Sequence, residues 1–410
     1  MSRISAASSI IRTQHNPHRD SGQELPIRIT LGNDLIQSEA GTASDMKLAI
    51  FLQHYFPYGG LQRDAVRLAE AAHAAGDQPT LVVATWDGAM PADIPVITLN
   101  SGGSSNHSKA AKFADSCQLL ISSGEYDSSI CFSRVPGTPF HFCGDACFLE
   151  KFQANKPALT RFLPRYRHFL SNEQLVFGAD ANTHIFFLAS PDITSYQRYY
   201  QLADHHITLL PPWLKPAEQS DIPRDEIRRR IHDELKLSED DQLLLFVGSN
   251  FKLKRVGIII ESLPSLDDHI HLAICGKDDP GPPTKLANSL GVADRVHIMG
   301  PRNDIPAWMT AADLLVHPSS RETAGMVLVE ALTYGLPVTC TRLCGYANHV
   351  ANAGGHLLSN DCPPEEISQV VNDMLAELPL LQKKALAWAA DPEHYRTADV
   401  MLDHIRASIT

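Results

Sequence analysis

"DLLVHPSSRETAGMVLVEALTYGLPVTCT", residues 313–341, decides how the rest of the chain is read. "DLLVHP" (313–318) and "LPVTCT" (336–341) are short apolar runs, the pattern of strands buried on both faces of a sheet. Between them Gly325 opens a helix of about nine residues, which stops at Gly335 with Pro337 just beyond. Strand, helix and strand in that order make a parallel crossover unit. Within it, Glu330 lies among Met326, Val327, Leu328, Val329, Ala331 and Leu332, and Glu322 stands before the helix. A carboxylate in such apolar company is costly to bury unless something hydrogen-bonds to it.

The same alternation continues outward. Further strand candidates are "KLAIFL" (47–52), "PTLVVAT" (79–85), "HIFFLA" (184–189), "LLLFVG" (243–248), "HLAICG" (271–276) and "RVHIMG" (295–300). Residues 61–75 have helical spacing, with Leu61, Ala65, Leu68, Ala69 and Ala72 on one face. A chain of 410 residues is too long for one comfortable core. The expectation is an α/β protein of two doubly wound, Rossmann-like parallel-sheet domains facing each other across a cleft. The first spans 46–210, the second 211–385, and 386–410 is a C-terminal helix returning to the first. Pro211-Pro212 is the hinge candidate. Residues 1–45, rich in Ser, Gln, Asn and Asp, read as a mobile tail or an over-called start, with Met46 beginning the folded part. Ligands in this architecture bind at the carboxyl ends of the strands, inside the cleft.

Bulk properties exclude several classes. The net charge of −12 argues against general nucleic-acid binding, which needs a basic footprint. The eight cysteines form no Cys-x-x-Cys pair, so buried reduced thiols in a cytoplasm are expected, with neither a disulfide scaffold nor a zinc ribbon. No apolar run reaches the roughly 20 residues of a membrane-spanning helix, and the first 45 residues lack a signal-peptide core.

The amides of Met326 and Val327, at the positive end of the helix, have no partner within it and would stabilise an anion, a diphosphate above all. Glu322 lies on the rim of that anion site, and Glu330 about 6 Å farther along the axis than Met326. One carboxylate can therefore hold hydroxyls on one side of a diphosphate and the second those on the far side. A nucleoside diphosphate sugar has that layout. A surface Glu322 and a capped, half-exposed Glu330 with no ligand is the alternative.

The segments "HYFPYGGLQRDAVRLA" (54–69), "TWDG" (85–88), "SNH" (105–107), "PRYRHF" (164–169), "LLPP" (209–212), "RND" (302–304), "HPSSRETAGMVLVEALTYGLPV" (317–338) and "CGYANHV" (344–350) carry a resemblance. Together they resemble the retaining glycosyltransferases of family 4, which have the GT-B fold and share a Glu-x7-Glu signature. The likeness runs from about Lys47 to the C-terminus. It extends to the members that add glucose to a heptose of the bacterial lipopolysaccharide core.

The resemblance implies transfer of glucose from UDP-glucose to an inner-core heptose, in α-1,3 linkage and with retention. Glu330 is similar to the acid that binds ribose, and Glu322 to the one that holds the donor sugar. Thr323, Ala324, Gly325, Met326 and Val327 resemble the cradle for sugar and diphosphate. Gly59 and Gly60 would let the donor phosphate approach the backbone, with a plain tight turn as the alternative. Asp64 would meet the transferred sugar or the acceptor. Lys254 matches a diphosphate-binding lysine, but relatives also place an arginine in that loop, where this chain has Ser249 and Leu253. Lys252 or Arg255 are the substitutes to consider, and Arg302 is expected near the uracil or the phosphates. On the acceptor side Thr138-Pro139 stands where the resemblance implies an acid, with His141 and Asp145 as nearby replacements.

Retention of this kind needs no protein nucleophile, because the departing diphosphate can take the acceptor's proton on the same face. Glu322, Asp64 and Lys254 are the catalytic candidates, acting by positioning and charge stabilisation. Relatives of this fold work without a metal, so neither a metal nor another cofactor is expected. "ACFLEKFQANKPALTRFLPRYRHF" (146–169) sets Lys151, Lys156, Arg161, Arg165 and Arg167 against the single acid Glu150. That basic amphipathic segment suits the cytoplasmic face of an anionic membrane, where a lipid-linked acceptor resides, or the phosphates of the core itself. A core-packed helix pair with a solvated basic face is the plainer alternative. Two further readings keep the fold: another donor, such as UDP-GlcNAc or UDP-galactosamine, or another glycan acceptor, and a non-catalytic nucleotide-sugar binder.

Overall fold

The computed structural model describes residues 28–30, 45–57, 59–99, 101–217 and 221–409. Two sheets organise it, as the apolar runs imply. The first holds β1 (Arg28–Thr30), β2 (Lys47–Tyr55), β3 (Gln78–Trp86), β4 (Val96–Thr98), β5 (Ser128–Cys131), β6 (Phe140–Cys143), β7 (His184–Phe187) and β8 (Ile207–Leu209). Their order is β1-β4-β3-β2-β5-β6-β7-β8. The second holds β9 (Gln242–Val247), β10 (Ile270–Cys275), β11 (Val296–Gly300), β12 (Leu314–His317), β13 (Val338–Thr341) and β14 (His356–Leu358), in the order β11-β10-β9-β12-β13-β14. Every pairing is parallel except β1 on β4.

Side-chain alternation along each strand feeds two layers. Leu48, Ile50 and Leu52 of β2 pack with Ala65, Leu68, Ala69 and Ala72 of the helix Gly60–Ala74. Ala49 and Phe51 face the opposite side, against Phe113 and Cys117 of the helix Asn106–Ser122. In the second sheet Leu243 and Leu245 meet Trp308, Leu328 and Leu332, while Leu244 and Phe246 meet Val256, Ile259 and Ile260. All eight cysteines are buried and unbridged.

The chain crosses once at Pro211-Pro212 and returns at its end. Thr397 donates its hydroxyl to the Pro212 carbonyl at 2.8 Å, and the helix Thr397–Ala407 buries Met401, Leu402 and Ile405 in the first domain's core. Arg406 pairs with Asp77 there at 2.5 Å.

The segment 1–45 read as a tail needs one correction. Arg28–Thr30 forms an edge strand, antiparallel to Val96–Thr98, whereas the rest of 1–44 lies outside the described residues.

Candidate active site

The strand β12 ends at His317, and the loop that follows is fixed by backbone bonds before it can be used. Ser320 donates its amide and its hydroxyl to the Leu253 carbonyl, at 3.0 and 2.8 Å. Thr341 donates its hydroxyl to the Ser319 carbonyl at 2.5 Å. The amides of Gly345 and Tyr346 donate to the carbonyls of Glu322 and Ala324, at 3.0 and 2.8 Å. Gly325 then turns into the helix Met326–Thr333 with φ +90°, a left-handed geometry that a side chain would oppose.

A cavity of about 380 Å³ opens in front of that helix, within the range of roughly 300–1,000 Å³ usual for small-molecule sites. Glu322, Gly325, Met326, Val327, Glu330 and Lys254 line it together. Val247 and Ile305 give it an apolar wall, and Gly248 and Ser249 a floor. The stem of Lys254 crosses Gly248 so closely that an added Cβ would sit 2.8 Å from its Cδ. The glycine is thus what allows the lysine to reach the cavity.

Lys254 ion-pairs with Glu322, and the fully buried His317 lies 3.5 Å from the same carboxylate oxygen. His317 is stacked flat on Phe246. Burial holds the imidazole below its ordinary range, with Lys254 acting in the same direction and Glu322 opposing. For Glu322, burial opposes ionisation, but His317 and Lys254 outweigh it and hold the carboxyl at about 2. Glu330 is exposed and lines the cavity. Its surroundings raise it by desolvation, and Arg63 and Arg67 of the facing domain pull it down. Asp64 is pushed up to about 6 by burial, against the same two arginines.

Other candidates lie elsewhere. Arg255, offered as the missing cation, has a left-handed backbone (φ +55°) and donates to the Asn360 carbonyl at 2.7 Å, outside the cavity lining. Arg302 is held by Glu234 at 2.8 Å and by Asp304 at 2.7 Å, its guanidinium over Trp308, and it does not line the cavity either. Gly59 and Gly60 sit at the start of the helix Gly60–Ala74, and neither lines the donor cavity. Thr323 and Ala324 belong to the loop behind it. On the acceptor side His141 is buried in β6, edge-on to Phe177, and burial with Arg134 holds it at about 3. An imidazole so enclosed is no acid or base for a substrate. Asp145 is exposed at the carboxyl end of β6.

Sequence reasoning missed His317, although a histidine ending a strand next to the first glutamate was a usable signal. Asp192 lies in the first turn of the helix Ser190–Tyr200, outside the cavity lining. Burial raises Asp192 to about 6, while Lys151 and Arg321, the neighbour of Glu322, oppose that.

The family described as "Glycosyl transferases group 1" matches residues 227–386, the second domain and its glutamate pair. The lipopolysaccharide glucosyltransferase WaaG of Escherichia coli is 34% identical over 355 residues, covering 85% of this chain and 94% of that protein. A D-inositol 3-phosphate glycosyltransferase of Nocardiopsis dassonvillei is 32% identical over 259 residues, 57% of each chain. The crystal structure of WaaG superposes with a TM-score of 0.72 at 33% identity, covering 87% of this chain and 99% of that one. The structure of Anabaena Alr3699/HepE, at 17% identity and a TM-score of 0.65, covers 88% and 100% and shares the fold. The chain belongs to the group 1 glycosyl transferases, in their retaining GT-B form.

Proposed function

We propose that the protein transfers glucose from UDP-glucose to a heptose of the lipopolysaccharide core, in α-1,3 linkage. The observation that carries this is the single cavity in which the Lys254–Glu322 ion pair, the helix amides at Met326 and Val327, and Glu330 converge. The 34% identity to WaaG over 94% of that protein's length supports the choice of substrates.

In this reading Glu330 accepts hydrogen bonds from the ribose hydroxyls. The diphosphate lies against the Met326 and Val327 amides, and Lys254 meets its charge. Glu322 stays ionised at any working pH, so it accepts from the sugar's hydroxyls while keeping Lys254 in place. The bond from the glucose C1 to the diphosphate breaks, and a bond from C1 to the heptose oxygen forms on the same face. The heptose proton passes to the departing phosphate oxygen. Lys254 and the amides at Met326 and Val327, aimed at the leaving group, supply the stabilisation, so no metal is required.

The acceptor comes from the membrane side. The segment 146–169 folds as the helix Phe148–Asn155, a turn Ala158–Phe162 and the start of the helix Pro164–Phe177. Lys151, Lys156, Arg161, Arg165 and Arg167 are all exposed, and Leu159, Phe162 and Leu163 are 80%, 61% and 52% exposed. Phe152 is buried and Phe148 packs on Tyr166 and Phe169, so neither is free to insert in a bilayer. Among the described residues no helix is long and apolar enough to cross one. A basic turn tipped with apolar side chains suits peripheral attachment to the anionic cytoplasmic face.

Incubation with heptose-terminated lipopolysaccharide and a panel of radiolabelled UDP-sugars tests the reading. Label should pass from UDP-glucose in preference to UDP-GlcNAc, UDP-galactose or UDP-galactosamine. Preference for another donor would leave the fold but overturn the substrate, and binding without transfer would leave only a nucleotide-sugar binder.

A further inference from the structure

A second cavity of about 270 Å³ meets the donor cavity at Glu330 and Ile305. Its walls are the linker from Trp213 to Pro216 and parts of the helices Ile305–Ala311 and Met326–Thr333. Arg67 closes it from the first domain. The guanidinium makes two contacts of 3.4 Å, one to the Asp64 carboxylate one turn earlier and one to the Trp213 carbonyl. First domain and linker therefore meet at one side chain, which lines a cavity shared with the second domain.

Asp64 itself has three neighbours that matter. Arg63 and Arg67 face it from its own helix, and Tyr346 faces it from the second domain. The Tyr346 hydroxyl is buried and has no hydrogen-bond partner among the described residues. The same two arginines face Glu330 across the cleft.

We propose that Arg67 is a positioning residue, which fixes the Asp64 carboxylate at the donor sugar and ties that placement to the interdomain linker. The inference rests on the reading of Asp64 as a contact of the transferred sugar. One guanidinium nitrogen, with its two N–H donors in a fixed plane, meets the carboxylate and the carbonyl at once. A lysine would keep the charge but lose the planar geometry that aims those donors.

The test is kcat and KM for UDP-glucose against pH, in wild type, Arg67→Gln and Arg67→Lys, with thermal melting as the check on folding. In wild type kcat should fall on the acid side with a midpoint near 6, where Asp64 takes a proton. Arg67 is the larger of the two cations opposing that protonation, so Arg67→Gln should move the midpoint upward. The same variant should lower kcat at neutral pH by roughly tenfold, as expected for a lost charge-assisted hydrogen bond. Arg67→Lys should return the midpoint to its wild-type place yet keep a reduced kcat. A midpoint unmoved in Arg67→Gln, or moved and not restored by lysine, would overturn the proposal. Should Arg67→Gln not fold, Arg67→Lys decides alone, and full kcat in it overturns the proposal. Failure of the wild type to turn over UDP-glucose would instead overturn the functional reading.

Discussion

At the scale of single residues the two glutamates differ in what they are proposed to hold. Glu330→Ala should raise the KM for UDP-glucose by roughly ten- to a hundredfold with a smaller change in kcat, since the ribose does not react. Glu322→Ala should lower kcat by more than it raises KM, because it loses contact with the sugar that moves and leaves Lys254 unheld. Steady-state kinetics of the two variants checks this, and equal effects on both constants would erase the assignment. Glu322 also links stability to pH. Its carboxyl falls from an ordinary value of 4.5 to about 2 on folding, so its stabilising contribution is full above 4.5 and is lost as pH falls toward 2. The melting-temperature gap between wild type and Glu322→Gln should therefore narrow from pH 5 to pH 3, and a constant gap would show that the ion pair contributes nothing. The glutamate pair was legible because spacing and helix polarity are local properties. Arg302 was placed by the resemblance of its segment and Arg255 by its position, and the partners that draw them off, the Glu234 carboxylate and the Asn360 backbone carbonyl, lie 68 and 105 residues away.

Among the elements, long apolar strands such as Lys47–Tyr55 and Gln78–Trp86 announced themselves, and short ones did not. Val96–Thr98, Ile207–Leu209 and His356–Leu358 are three residues each, too few for a periodic signal. Ser128–Cys131 begins with two serines that the fold buries, so composition pointed away from a strand. The basic segment was legible as amphipathic, but the sequence could not say which aromatic rings pack inward. The turn Ala158–Phe162 now carries the prediction. Co-sedimentation with anionic vesicles should weaken as salt rises, since each surface cation contributes about 1 kcal/mol within a screening length of about 8 Å. Changing Lys156, Arg161 and Arg165 to Glu should abolish most of it, and changing Leu159, Phe162 and Leu163 to Ser should remove the salt-resistant remainder. Equal binding by wild type and both variants would eliminate this surface.

For the whole molecule, the C-terminal helix and the Pro211-Pro212 crossing join two domains whose facing edges carry different halves of the site. The first brings Asp64, Arg63 and Arg67, the second the donor cavity. A chain begun at Met46 loses only the three-residue edge strand Arg28–Thr30 among the described elements. It should fold and keep most of its activity, with circular dichroism and transfer assays as the check. Insolubility would show that the edge strand is required. The proposed reaction is metal-independent transfer from UDP-glucose with retention. Its most direct measurement is proton NMR of the product formed from UDP-glucose and heptose-terminated lipopolysaccharide in excess EDTA. The expected result is a new anomeric signal with the small coupling of an α-glucoside on heptose, at an undiminished rate. A β-glucoside, or a reaction stopped by EDTA and restored by magnesium or manganese, would contradict it.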